Sequence, residues 1–284
     1  MFISRRLLES YYKDMKQLDK DLALAAKSES EDNRLFDWLI EEDDVWPVLV
    51  PVFERRVHTR KGLEKWLLEA DHAAFKLTSD QKRIGAFFII LEIREYAGHT
   101  LWNTLREPPH YDEIVKQVHE RVAKRFKRPF DKQMSVQDRE LSLSVMLLGE
   151  SLEGLSPEKV FELLKESEFL GGSDYSEIKK TLLGKLGTSG VGGMKTMLGK
   201  TVAKRLAAGL IESAWGASRL AQAGRIGGVL SRVLPFALRR ASLYVSLGFL
   251  LKDAYQLGGE ATRITNPAVI IIALYRSFSD APSA

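Results

Sequence analysis

The chain has 284 residues, 45% hydrophobic, 28% charged and 9% aromatic, enough for one large or two modest cores, and this excludes wholesale disorder. It contains no cysteine, which excludes a disulfide framework, a thiolate zinc site and a cysteine nucleophile. The formal charge of +4 conceals a split: residues 1–180 carry 29 Lys/Arg against 34 Asp/Glu, net −5, and residues 181–284 carry 13 against 4, net +9. Of the 21 glycines, 16 follow residue 168, so the two parts differ in chemistry as well as charge.

Met1–Arg6 is followed at once by Glu9, Asp14 and Asp19, with no apolar core or small-residue cleavage site of a secretory signal. No stretch reaches the roughly 18–20 uncharged apolar residues of a spanning helix. Ala241–Leu251 and Ala268–Tyr275 come nearest and are too short alone. A cytoplasmic protein is expected, with peripheral attachment at the inner membrane face left open.

Helical periodicity dominates the chain. Leu7, Leu8, Tyr11, Met15, Leu18, Leu22 and Ala25 predict one long amphipathic helix over 4–27, followed by a polar break at Ser28–Asn33. Short helices are predicted at Leu35–Ile40 and Val48–Arg56, on either side of a turn ending in Pro47. Thr59 is the expected cap of a helix over 60–70, and Ser79 that of a core helix over 80–97 centred on Ile84, Phe87, Phe88, Ile90 and Leu91. Pro108-Pro109 forces a break before helices at Tyr111–Lys127 and Ser135–Leu148, the second with Ser135 as N-cap and Asp138 three positions on. Ser156-Pro157-Glu158 opens another helix. Gly184, Gly187, Gly190, Gly192 and Gly193 predict a flexible connection or a close backbone approach. Ala/Gly/Leu-rich helices are expected near 195–222, 226–240 and 241–257, and a last one over 267–278 with Asn266 as cap and Pro267 first. Leu49–Phe53 and Ile270–Ala273 are β-branched enough to be strand candidates, but the chain reads as all-α.

Catalytic patterns are absent. Gly193–Thr201 resembles a phosphate-binding loop only superficially, because five residues separate its glycines, Met194 holds the required glycine position, and no apolar strand precedes it. No glycine-flanked serine of a nucleophile elbow occurs. Glu92, Glu95 and His99 share a helical face, and Glu69 with His72 has the Glu-x-x-His spacing of a bundle metal site, but polar surface is the preferred account of them. No metal or cofactor is expected.

Two basic features suggest binding instead. Lys124, Arg125, Lys127 and Arg128 form a compact run around Phe126, suited to phosphates or an acidic lipid surface, or simply to a helix C-terminus. Over 195–222, Lys200, Lys204, Arg205 and Arg219 project with Glu212 as a mainly cationic strip, beside an apolar face of Leu198, Val202, Leu206, Leu210 and Ala214. Gly209, Ser213, Ala217 and Ala221 form a small-residue row at intervals of four, a pattern of close helix packing in lipid or in a tight soluble hairpin, and Arg239 and Arg240 follow.

Three stretches carry a family resemblance: Lys116–Leu148 with its basic run and Asp131-Lys132-Gln133-Met134-Ser135, Leu155–Lys165, and Tyr255–Arg276 with Arg263-Ile264-Thr265-Asn266-Pro267-Ala268-Val269. Over about 110–278 the chain resembles the YaaW-like family of bacterial proteins, grouped loosely with the ubiquinol–cytochrome c chaperones. The resemblance implies assembly or binding work rather than chemistry, and transfers no catalytic residue. The reading is therefore an acidic helical bundle over 1–170, a glycine-rich connection over 171–193 and a basic Gly/Ala-rich apolar helical module over 194–284. Its expected function is a non-enzymatic interaction protein whose C-terminal helices bind an anionic membrane surface or an apolar protein segment, as a membrane-active effector held by the N-terminal part in one version. The alternatives are an assembly factor for a membrane-protein subunit and a metal-dependent helical enzyme. Self-association is left open, and nucleic acid is not an expected partner.

Overall fold

The computed structural model describes residues 3–53, 60–73, 75–98, 107–129, 131, 133–154, 156–164, 175–198 and 262–278. The fold is all-α, and among the described residues there is no strand. Both strand candidates are helical: Val50–Val52 is a 3-10 turn, and Ile270–Ala273 lies inside the last helix.

The single helix expected over 4–27 is broken. Helix α1, Arg5–Leu8, runs into a 3-10 turn at Glu9–Tyr11, and α2 spans Met15–Ala26. Asp14 causes the break, because its carboxylate accepts the Lys16 N–H at 2.9 Å and competes with helical continuation. Helix α3, Ser30–Glu41, begins earlier than predicted, since the Asp32 carboxylate accepts the Glu29 N–H at 3.2 Å and turns the expected polar break into a helix start. Helix α4, Trp46–Leu49, carries Pro47 in its first turn and ends in the 3-10 turn. Helix α5 is Lys61–His72, with Arg60 in its N-cap position; the expected cap, Thr59, lies outside the described residues.

Helix α6, Ser79–Gly98, is capped one residue earlier than predicted. Thr78 Oγ1 accepts the Gln81 N–H at 3.3 Å while Gln81 Oε1 accepts the Thr78 N–H at 2.9 Å, a reciprocal capping box. Helices α7, Tyr111–Arg125, α8, Val136–Gly154, and α9, Pro157–Leu164, start where the sequence places them, while α7 stops two residues short of Lys127 and α8 runs six residues past Leu148. The Ser135 cap forms, with Ser135 Oγ accepting the Asp138 N–H at 3.1 Å.

The glycine cluster is helical on either side of one non-helical break. Helix α10, Tyr175–Leu198, runs through it and kinks at Gly190, whose φ of 59° and ψ of −155° only glycine adopts without strain. Helix α11, Thr262–Phe278, starts five residues before its predicted beginning, so Asn266 does not cap it and Pro267 lies inside it. Pro267 is only two residues past the orphan N–H groups of the first turn, so it forfeits a single ladder bond there.

The described coordinates form two compact units, residues 1–120 with 258–272, and residues 121–257 with 273–284. Of the segment 194–284, only 194–198 and 262–278 are among the described residues. In the first unit α6 is the central element, packed by α1, α2, α3 and α5. Its residues from Ile84 to Arg94 are all buried, as befits a helix apolar on nearly every side. Two glycines let its neighbours approach. A Cβ on Gly62 would lie 2.6 Å from the Phe88 ring, and one on Gly85 would lie 2.1 Å from Trp66 Cζ2. In the second unit α10 packs on α8 and α9 through buried Ile178, Leu182 and Leu186. There Arg276 Nη1 donates to buried Glu140 at 2.7 Å, and the Ser144 and Ser277 hydroxyls meet at 2.9 Å.

Candidate functional site

The first unit buries two arginine–carboxylate clusters, built from segments remote in sequence. In the first, Arg60 sits at the start of α5, 4% exposed, and reaches two neighbours. Its Nε donates to Asp21 Oδ2 of α2 at 3.2 Å, and its Nη1 to Glu92 Oε2 of α6 at 3.1 Å. Glu95 Oε2 lies 3.6 Å from Nη2. Asp21 is further held by the Tyr12 hydroxyl at 2.7 Å and by Gln17 Nε2 at 3.0 Å. Burial opposes the charge on Arg60, but Asp21, Glu92 and Glu95 outweigh it and hold the guanidinium above its ordinary range. The Tyr12 hydroxyl is pushed well above the ordinary tyrosine value, by burial first and then by its bond to Asp21.

The second cluster centres on Asp32, which is fully buried. Its Oδ1 accepts the Tyr111 N–H at 3.0 Å, and its Oδ2 accepts from Arg94 Nη1 at 3.2 Å and lies 2.6 Å from His110 Nδ1. One carboxylate therefore serves the N-termini of both α3 and α7, where helix dipoles favour an anion. Arg94 also donates to the carbonyls of Pro109 at 3.1 Å and Pro108 at 3.3 Å, fixing the double-proline turn. Burial pulls Arg94 below its ordinary value against the attraction of Asp32, Glu107 and Glu29. At the rim, Lys27 pairs with Glu107, whose carboxyl this bond holds below the usual range.

These partners are spent on one another. Both oxygens of Asp32 and of Asp21 are engaged inside the protein, so neither carboxylate offers a free face to a substrate. Of the residues weighed for a bundle metal site, Glu92 and Glu95 face Arg60, and Glu69 accepts from the Tyr11 hydroxyl. His99 lies outside the described residues, and among the described residues no group of three ligands could hold a metal ion. An open cleft of 530 Å³ lies along α2 and α3 beside Leu22, Ala25, Phe36 and Ser28, and Asp37 is the only ionisable group among its described lining residues.

The basic run lies at the end of α7, in the second unit, with Lys124, Arg125, Lys127 and Arg128 all exposed. The Arg128 N–H donates to the Ala123 carbonyl at 2.9 Å and the Lys127 N–H to the Lys124 carbonyl at 3.2 Å. This is a Schellman turn, and its left-handed residue, Lys127 at φ 54°, is not glycine. Arg128 Nη2 pairs with Glu150 Oε1 at 3.7 Å. The other predicted binding residues, Lys200, Lys204, Arg205, Gly209, Ser213, Ala217, Arg219, Ala221, Arg239 and Arg240, lie outside the described residues. Among the described residues no helix is long and apolar enough to cross a membrane.

Sequence reading missed both buried clusters, although one signal was present. Glu92 and Arg94 follow directly on the apolar run Ile84–Leu91 within one helix, and charges on a helix buried on every side require buried partners. No family model, curated protein or solved structure matches the chain.

Proposed function

We propose that the protein is a non-enzymatic interaction protein, in which a rigid helical bundle carries a basic apolar segment that binds an anionic membrane surface. The observation that carries this reading is the charge split. Residues 181–284 hold 13 basic against 4 acidic side chains, and Lys200, Lys204, Arg205 and Arg219 recur at helical spacing beside an apolar row. Such a segment gains from apolar burial at a headgroup boundary and from attraction to anionic lipid together. The bundle fits a scaffold role, because its interior charges are locked to one another by hydrogen bonds and ion pairs.

Vesicle flotation of the full-length protein tests this. Flotation is expected with vesicles containing phosphatidylserine, weaker with phosphatidylcholine alone, and falling as salt rises. A Lys200→Glu, Lys204→Glu, Arg205→Glu variant is expected to stay in solution. Wild-type protein that remains soluble with anionic vesicles at low salt would overturn the reading. Retention on an apolar peptide segment in that case would favour the assembly-factor alternative.

A further inference from the structure

The exposed basic turn at the end of α7 has a property that neither charge count nor helix capping explains. Its chain reversal requires a left-handed residue at position 127, where glycine is the least strained choice. The chain carries lysine there, at a cost in backbone strain. A cation suited only to the helix dipole could sit at Lys124 or Arg125, in the last helical turn, without strain. The turn also folds residues 123–128 back on themselves, through the Arg128 to Ala123 and Lys127 to Lys124 backbone bonds. Lys124, Arg125, Lys127 and Arg128 are thereby gathered, all exposed, at a single helix end. Glu120 lies one helical turn before Lys124, and Arg128 pairs with Glu150 at 3.7 Å, so the cluster keeps a net positive charge at an exposed helix end.

We infer that this turn is a second anchor for an anionic lipid leaflet, a pre-formed cluster of four cations that acts with the basic C-terminal segment. The inference rests on the membrane reading above and adds a site within the second compact unit. A polybasic cluster at a negatively charged leaflet gains about a fivefold factor in binding per cation. Bivalent attachment through two separate basic elements would also raise overall avidity without a new apolar contact.

The test uses the full-length protein and sedimentation with vesicles of phosphatidylcholine containing phosphatidylserine. Two variants separate charge from folding. Lys124→Gln, Arg125→Gln, Lys127→Gln is expected to lose about a hundredfold in partition coefficient, as three factors of about five combine. Lys127→Gly is expected to bind about fivefold more weakly while melting at a higher temperature, because it removes the charge and relieves the strained backbone together. A structural role alone would move stability and binding in the same direction. If wild type binds and both variants bind as tightly, the inference falls while the membrane reading stands. If wild type binds, the triple variant fails and the Lys200, Lys204, Arg205 variant binds normally, the turn stands as an anchor, while its joint action with the C-terminal segment and the membrane reading of that segment fall. If wild type ignores anionic vesicles, both fall. Loss of duplex RNA binding in the triple variant, with vesicle binding unchanged, would reassign the turn to nucleic acid and overturn the inference.

Discussion

Replacing Gly85 by alanine places a methyl group where Trp66 already is. The added Cβ would lie 2.1 Å from Cζ2, 2.6 Å from Cε2 and 2.7 Å from Cη2 of the indole. Ordinary contact begins near 3.4 Å, so the ring would have to withdraw by about 1.3 Å, the difference between 3.4 and 2.1. Trp66 has nowhere to go. It is fully buried, its Nε1–H donates to the Gln81 carbonyl at 2.8 Å, and its ring lies 5.6 Å from that of Trp46. Overpacking of this kind costs about 1–3 kcal/mol, and disturbing the indole hydrogen bond about 1 kcal/mol more. Alanine in a helix interior returns about 1 kcal/mol. The net expectation is a loss of about 2 kcal/mol, read as a lower urea midpoint at unchanged slope. Gly184→Ala supplies the opposite sign: that glycine is exposed in α10 with nothing within 4 Å of its Cβ position, so a gain of about 0.5–1 kcal/mol is expected. A Gly85→Ala protein as stable as wild type would refute the account of how α5 and α6 pack.

Arg60→Met strands the buried Asp21 and Glu92 carboxylates, and a loss of about 3–5 kcal/mol in the same urea assay is expected. Adding Asp21→Asn and Glu92→Gln to that variant should recover part of the loss; a triple variant less stable than Arg60→Met alone would contradict the charge argument. The tyrosines give a pH signature. The folded protein holds the Tyr11 and Tyr12 hydroxyls above their ordinary value of 10.0, by burial first and then through Glu69 and Asp21 respectively. Above about pH 10 the unfolded chain releases those protons while the folded chain keeps them, so their stability is intact below pH 10 and declines as pH rises beyond it. The Tyr11→Phe, Tyr12→Phe protein should show a shallower alkaline decline than wild type, and equal slopes would remove this cause. At neutral pH, Tyr12→Phe alone should cost about 1.5–3 kcal/mol, the worth of a hydrogen bond to a charged acceptor.

Local signals in the sequence were read where one residue type decides the structure. Ser135 with Asp138, and Ser156 with Pro157, open helices as their chemistry dictates. Asp14 was overlooked because the apolar spacing on either side of it continues in phase, and one cap bond outweighed that rhythm. Pro267 suggested a helix start because proline favours first turns, yet buried residues on both sides of it carry the helix back to Thr262. The glycines of α10 act at one point: Gly190 breaks the helical path, while buried Ile178, Leu182 and Leu186 pack the stretch before it. The buried clusters belong to a different class. Arg60, Asp21 and Glu92 come from three separated segments, so no window of sequence contains them together. The basic turn was legible as a run of charge, but the left-handed backbone that makes Lys127 costly was not.

The position of Arg60 sets how the first unit opens. Helix α2 is 12 residues long, a short element of the kind that ordinarily opens before a central helix and exchanges its amide hydrogens faster. Lifting it away would separate Asp21 from Arg60 and expose Leu18 and Ala25, so its detachment is penalised by lost charge pairing as well as by lost apolar contact. The amides of α2 are then expected to exchange at the pace of central helix α6 and to share its denaturant dependence. A short outer helix thereby becomes part of the last structure to open, fastened by a guanidinium that belongs to neither helix.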